Sequence, residues 1–329
     1  RKMSFPIIDL HCDLLCCVEA DEKKLNFESS GTNCSVHQLR KGGVALQVFA
    51  VAAVTLPNSS LKGLRQIDLY QELLNKHKNQ IASFRDFNLG SSKTHGILAI
   101  ENASALIEED EDLDLFFQRF EHALSHEEIL YVSLTWNQEN RFGGGNSSEV
   151  GLKKDGEEVL RFLSEKKTSI DLSHTSDRLA FDILNFIDKE NLLIVPMASH
   201  SNCREIKNIK RNLPDDLLRE VLRLKGVIGC NFVKRFVGES PYDFIRHFEH
   251  AIELGAGDQI CLGADFYGGI DVPKHLIPEI SYPIFQKDFS NSSCYPKFLG
   301  LLEKHFSKKQ VEKIANINIL TFLKNLKLF

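Results

Sequence analysis

The sequence predicts an α/β fold: a closed (β/α)8 barrel with extra helices toward its C-terminal end. Three observations predict it. Eight apolar, β-branched runs recur along the 329 residues. Segments of helical spacing separate most of them, as parallel βαβ units require. No Gly-x-Gly-x-x-Gly follows a strand to favour an open, doubly wound sheet. A barrel of this kind typically takes about 250 residues, and no repeat or Pro/Gly-rich linker divides the chain, so residues 1–329 read as one domain.

The elements follow in order. "PIIDLH" is the first strand and ends at His11; after a loop, "VALQVFAVAAV" (44–54) is the second. Residues 61–78 carry Leu64, Ile67, Tyr70 and Leu74 at helical spacing. "HGILAIENAS" (95–104) is the third strand, and 111–124 a helix. "ILYVSLTW" (129–136) is the fourth, followed by the helix "DGEEVLRFLSEKK". "TSIDLSH" is the fifth, closing on His174, with a helix running to about Lys189. "LLIVPMASH" ends the sixth at His200, and Pro214 with Asp215 and Asp216 marks a helix start. "GVIGCNFV" (226–233) precedes a helix near 242–254, "QICLGADF" (259–266) is the eighth strand, and the remainder reads as helical. The irregular stretch 271–296 is expected to be a loop over one barrel face.

Composition limits the function. With 43% hydrophobic and 26% charged residues the chain has the balance of a globular protein with a core, and a net charge of -5 speaks against a nucleic-acid partner. The longest apolar run, 44–54, is far short of a membrane span, and the start "RKMSFPIIDL" shows no export signal. Eight cysteines without a Cys-x-x-Cys pair, two of them adjacent at 16 and 17, suggest reduced thiols and a cytoplasmic location.

Polar residues gather where a barrel keeps its active site, at the C-terminal ends of the strands. His11 and Asp13 are two apart, so on a strand they share a face and Cys12 takes the other. Glu101, His174, His200 and Asp265 each close a later apolar run. Three imidazoles and three carboxylates suit zinc or a neighbouring divalent transition metal. The set is large enough for two ions if one carboxylate, Glu101, bridges them. Other candidates read as bland. His122 and His126, four apart among Glu121, Glu127 and Glu128, look like a solvated helix face, as do His247 and His250. "RFGGGNSSE" (141–149) lacks the Lys-Ser/Thr ending of a phosphate loop and reads as a loop at the barrel mouth.

At these residues the chain resembles the renal (membrane) dipeptidase family of zinc dipeptidases, whose barrel is of the metal-dependent amidohydrolase type. The match runs through "DLHCD", "LAIENASAL", "YVSLTWNQEN", "IDLSHTSD", "SHSNCREIKNIKRNLPDD", "GVIGCNF" and "GADFYGG" in order. The resemblance implies two Zn²⁺, one held by His11 and Asp13 and the other by His174 and His200, with Glu101 between. It implies that Arg211 takes the terminal carboxylate of a dipeptide, for which a guanidinium fork is suited. It implies that Asp265 moves a proton and contacts the substrate amine while a metal-bridging hydroxide attacks. A homodimer is the family's expectation.

The chain departs from the family at three places. Trp136 stands where mammalian members carry a substrate-polarising histidine, in an "LTWN" context like the bacterial branch, and Asn140 is the candidate to polarise the carbonyl instead. Cys12 between two ligands reads as packing. Tyr267 follows "DF" where many relatives have an acid. The rival reading is another binuclear amidohydrolase acting on a small non-peptide amide, but many of those use His-x-His on strand one and a modified lysine, which this chain does not offer.

Overall fold

A computed structural model describes residues 5–270, 276 and 282–329. Among the described residues there are nine parallel strands: β1 (Ile7–Cys12), β2 (Val44–Ala52), β3 (Ile81–Ser83), β4 (Thr94–Glu101), β5 (Ile129–Ser133), β6 (Ser169–Asp171), β7 (Pro196–Met197), β8 (Ile228–Cys230) and β9 (Ile260–Leu262). Eight of them pair in the order β7-β6-β5-β4-β2-β1-β9-β8. A parallel bridge between Ala198, just past β7, and Ile228 of β8 joins the two ends and closes the barrel. The ninth, β3, pairs only with β4, outside the ring. It is three residues long, too short for a periodic signal, and the sequence does not reveal it. Two helices, Leu14–Ala20 and Val36–Lys41, occupy the connection read as a loop between the first two strands. Ser35 and Gln38 form a reciprocal cap on the second of them.

The apolar residues separate into two layers. Ile8, Leu10, Leu46, Val48, Ile97 and Ala99 belong to an inner cluster, which Ile319, Phe322 and Leu323 of the helix Asn318–Asn325 join. Ile7, Cys12, Phe49, Val51 and Leu98 belong to the outer layer between strands and helices. This division exposes a device in β1. Asp9 pairs with Gln47 and Cys12 with Phe49, so Leu10 and His11 together oppose the single residue Val48. That extra residue is a β-bulge, which re-aims the side chains that follow it. Under strict alternation His11 would share the outward face of Asp9; after the bulge it joins the inner face with Leu10, and Asp13 follows.

Several strands stop sooner than the sequence suggests. β6 ends at Asp171, β7 at Met197 and β9 at Leu262, so His174, His200 and Asp265 sit three residues beyond the ladders, on the loops. His174 and Asp265 adopt left-handed backbone, φ 68° and 62°, as does Asn102 behind Glu101 at 69°. Such conformations in non-glycine residues cost energy and cluster at functional sites. Two surface readings are corrected. His247 is 2% exposed, and its ring accepts from the Cys203 N–H while donating to the Val237 carbonyl. Glu127 is fully buried and accepts from the Tyr70 hydroxyl and the Phe84 N–H. Both lie on apolar-rich segments where local pattern gives no sign of the polar partner awaiting them. In the stretch read as a loop over the barrel, residues 271–275 and 277–281 lie outside the described ones; 287–289 and 292–294 form short 3-10 turns.

Candidate active site

The ends of β1 and β4 and the loops after β1, β6, β7 and β9 bring the six sequence-predicted groups into one buried cluster. His11 Nε2 lies 3.4 Å from Glu101 Oε2, 3.6 Å from Asp13 Oδ1 and 3.7 Å from Asp265 Oδ1. Across the cluster, Glu101 Oε1 is 2.9 Å from His174 Nε2 and 3.3 Å from His200 Nε2. The His11 and His200 rings stack with centroids 3.7 Å apart. Backbone bonds lock the two sequence-distant loops together: the Asp13 N–H donates to the Phe266 carbonyl and the Asp265 N–H to that of His11.

Each imidazole is oriented from behind, by residues the sequence analysis did not single out. His11 Nδ1 is 2.6 Å from the Tyr131 oxygen, whose own proton goes to the Leu10 carbonyl. His200 Nδ1 is 2.6 Å from Ser199 Oγ, which donates to Asp171. His174 Nδ1 is 2.8 Å from Asn137 Oδ1. In every case the partner oxygen is an acceptor toward the ring, so Nδ1 carries the proton and Nε2 presents a lone pair. Only Asn137 had a local cue, its place beside Trp136; the others emerge from the strand register.

Three lone pairs then converge on a carboxylate, with the Nε2 atoms of His174 and His200 only 3.0 Å apart. That is repulsive unless positive charge lies among them. His11 Nε2 and Asp13 Oδ1 are in addition buried without a hydrogen-bond partner, which is costly in a folded protein. The donor chemistry fits divalent cations. Ligand atoms of His11, Glu101 and His200, and of His11, Asp13 and Asp265, lie within 4.8 Å of one another.

The electrostatics of Glu101, His174 and His200 agree. Burial alone would raise the Glu101 carboxyl, but His11, His174 and His200 around it hold it well below the usual range. Burial, with Arg211 nearby, pulls His174 down to about 4, and burial together with His11 pulls His200 down as well. Those two rings are neutral near pH 7, the form that ligates. Burial would lower His11, yet the oxygens of Tyr131, Glu101 and Asp13 raise it. Burial and the adjacent carboxylates Asp13 and Glu101 push Asp265 well up, while Asn231 donates to its Oδ2.

The cluster floors a cleft whose walls include Val54, Trp136, Phe236, Tyr267 and Ile284. Trp136 lies over His174, ring centroids 5.9 Å apart. Asn140 requires a correction. Its amide donates to Asn102 Oδ1 and the Leu134 carbonyl and its oxygen accepts from the N–H groups of Phe142 and Gly143. The side chain is saturated as a loop clasp and is not free to polarise a carbonyl. Arg211 is 7% exposed. It donates to Ser201 Oγ and the His200 carbonyl, lies over Phe236, and keeps a buried Nε without a partner. It opens into a second cavity rather than the main cleft, with Asn137 and Phe236 lining both. All eight cysteines are free. Among the described residues no helix is long and apolar enough to cross a membrane.

The chain also matches known proteins. The family model of the membrane dipeptidases, peptidase family M19, matches residues 2–328. An uncharacterized dipeptidase of Schizosaccharomyces pombe is 25% identical over 356 residues, covering 96% of this chain and 80% of that protein. A metallo peptidase from Rhodobacter sphaeroides, solved with a phosphinate mimic of the dipeptide L-Ala-D-Ala, superposes with a TM-score of 0.79 at 18% identity over 98% of this chain and 99% of its own. A probable dipeptidase from Pseudomonas aeruginosa gives 0.76 at 13% identity, covering 99% and 96%. At these identities the two solved structures bear on the fold, a barrel shared over nearly the whole length.

Proposed function

The chain belongs to the membrane dipeptidase family, and from that premise we propose that it is a metal-dependent dipeptidase, working with two divalent cations, zinc foremost, on dipeptides with a free C-terminal carboxylate. The observation that carries this reading is the set of three imidazoles whose Nδ1 atoms are all committed, leaving their Nε2 lone pairs aimed at Glu101. His11 and Asp13 are proposed to hold one cation, His174 and His200 the other, and Glu101 both. Such a pair supplies an activated water near neutral pH and a Lewis acid for the scissile carbonyl.

The remaining roles fall to the chain's own side chains. Asp265 accepts a proton at Oδ1, the oxygen nearer His11, while Asn231 fixes Oδ2; it then returns that proton to the departing amine. Arg211 offers its unpartnered Nε–H to the substrate's terminal carboxylate. Trp136, over His174, shields the reacting groups from water and leaves carbonyl polarisation to the cations.

The test pairs metal content with turnover. Chelation should abolish hydrolysis of simple dipeptides, and zinc should restore it with two ions bound per chain. Asp265→Asn should lower kcat by ~10²–10⁴-fold, the usual range for a general acid–base, while metal content stays at two. Full turnover after chelation, or in that variant, defeats the assignment.

A further inference from the structure

Arg211 sits on a loop, and a second arginine braces that loop. Residues 203–213 are pinched together at their base, where the Arg204 N–H donates to the Leu213 carbonyl and the Leu213 N–H to that of Asn202. Beyond this base the Arg204 guanidinium spans the segment. Its Nε–H donates to the Asn212 carbonyl at 2.9 Å and its Nη2 to the Lys210 carbonyl at 3.0 Å, the residues on either side of Arg211. The outer edge of the same fork meets both oxygens of Asp177, at 2.6 and 2.8 Å. Asp177 opens the helix Asp177–Glu190, three residues past His174. These bonds join the loop that carries Arg211 to the segment that carries His174.

The Lys210 carbonyl shares its peptide plane with the Arg211 nitrogen, so holding that oxygen fixes the plane from which the Arg211 side chain departs. Asn212 is held from a second side: its amide donates to the Lys207 and Phe236 carbonyls, and the Phe236 ring lies under the Arg211 guanidinium. An ion pair as exposed as that of Arg204 with Asp177, at 20% and 43%, adds little to stability. What a planar fork supplies is geometry, and a misplacement of about 1 Å can cost a reaction 10²-fold. We propose that Arg204 is a positioning residue: backed by Asp177, it holds Arg211 where the terminal carboxylate of the substrate is taken. The inference rests on the dipeptidase reading above. Lysine is no substitute, because one ammonium cannot reach two carbonyls and two carboxylate oxygens arrayed along different edges of a fork.

A double-mutant cycle with L-Ala-L-Ala and the zinc-loaded protein tests this. Arg204→Met should raise KM about tenfold, the loss of one charge-assisted contact, with kcat and metal content nearly unchanged. In the Arg211→Met chain the same substitution should change kcat/KM by less than about twofold, since nothing remains to be positioned. Arg204→Lys should match Arg204→Met, and Asp177→Asn should raise KM by a smaller factor. Equal losses with and without Arg211, a native KM in Arg204→Lys, or a loss confined to kcat or to metal content overturns the inference. Should Arg204→Met not fold, Arg204→Lys and Asp177→Asn decide by the same criteria. If the native chain hydrolyses no dipeptide, the dipeptidase reading fails separately. Hydrogen exchange then decides the clamp: it stands if Arg204→Lys speeds exchange at the amides of residues 211–213 while the barrel strands keep theirs, and falls otherwise.

Discussion

Among the described residues the Asn137 side chain makes one hydrogen bond, yet it sets which nitrogen of His174 faces the cluster. Removing such an orienting partner typically weakens metal affinity by 10–100-fold. Asn137→Ala is therefore expected to raise the dissociation constant of the more weakly held zinc by about that factor, measured by competition with a chelator, with little change in fold. His247 allows a pH prediction away from the site. Burial lowers its pKa to about 4, against an ordinary value near 6.5. The folded ring stays neutral while the unfolded ring binds a proton, so its stabilising share is complete above pH 6.5 and drains away as pH falls toward 4. The loss amounts to about 3 kcal/mol. Urea titrations at pH 7 and pH 4 should show native stability falling by roughly this much more than that of His247→Leu; parallel falls would mean the ring is not held neutral. Residues of this kind escape a reading of the sequence. His247 looks like its neighbour His250 on the same helix, and only the tertiary fold puts it between Cys203 and Val237.

At the level of elements, the loop after β5 supplies Trp136 and Asn137 to the wall of the cleft. Gly145 bonds back to Gln138 and bridges Thr175, and Asn146 donates to the His174 carbonyl. A Cβ on Gly145 would meet the Trp136 carbonyl oxygen at 2.0 Å and the Asn137 carbonyl carbon at 2.3 Å. Backbone cannot yield as a flexible side chain can, so Gly145→Ala is expected to cost about 1–3 kcal/mol and to displace Trp136 and Asn137. A lowered melting temperature together with a raised KM would register both effects. The glycine-rich run was legible as a mouth loop, but its role in carrying Asn137 was not. β1 teaches the complementary lesson. Two-residue spacing places His11 and Asp13 on one face, but the same rule puts Asp9 there too. The bulge opposite Val48 separates them, and a bulge is a property of pairing between two strands, invisible in either one alone.

For the molecule as a whole, eight alternating apolar runs sufficed to indicate the barrel, because each parallel strand buried on both faces must be apolar. The convergence of residues 11, 13, 101, 174, 200 and 265 followed from that topology. Strand ends and the supporting hydrogen bonds did not, since they depend on neighbours more than 25 residues away, as between His200 and Ser173 or Asp265 and Asn231. The cluster gathers donors from the ends of five barrel strands and the loops that follow them, so cation binding should be linked to global stability. Zinc at 100 times its dissociation constant is expected to add about 2.7 kcal/mol, read as a rise in melting temperature that chelator reverses; no rise would mean that the ions do not bind the folded state preferentially. The position of β1 between β2 and β9 has a further consequence. During synthesis β1 can pair on its β2 side almost at once, but its other flank waits for residues 260–262. At ordinary translation speeds that interval lasts roughly 10–50 s. For that time the nascent chain carries an unprotected sheet edge, so its dependence on ribosome-associated chaperones, rather than the steady-state stability of the finished barrel, should set how much of it reaches the native state in a cell.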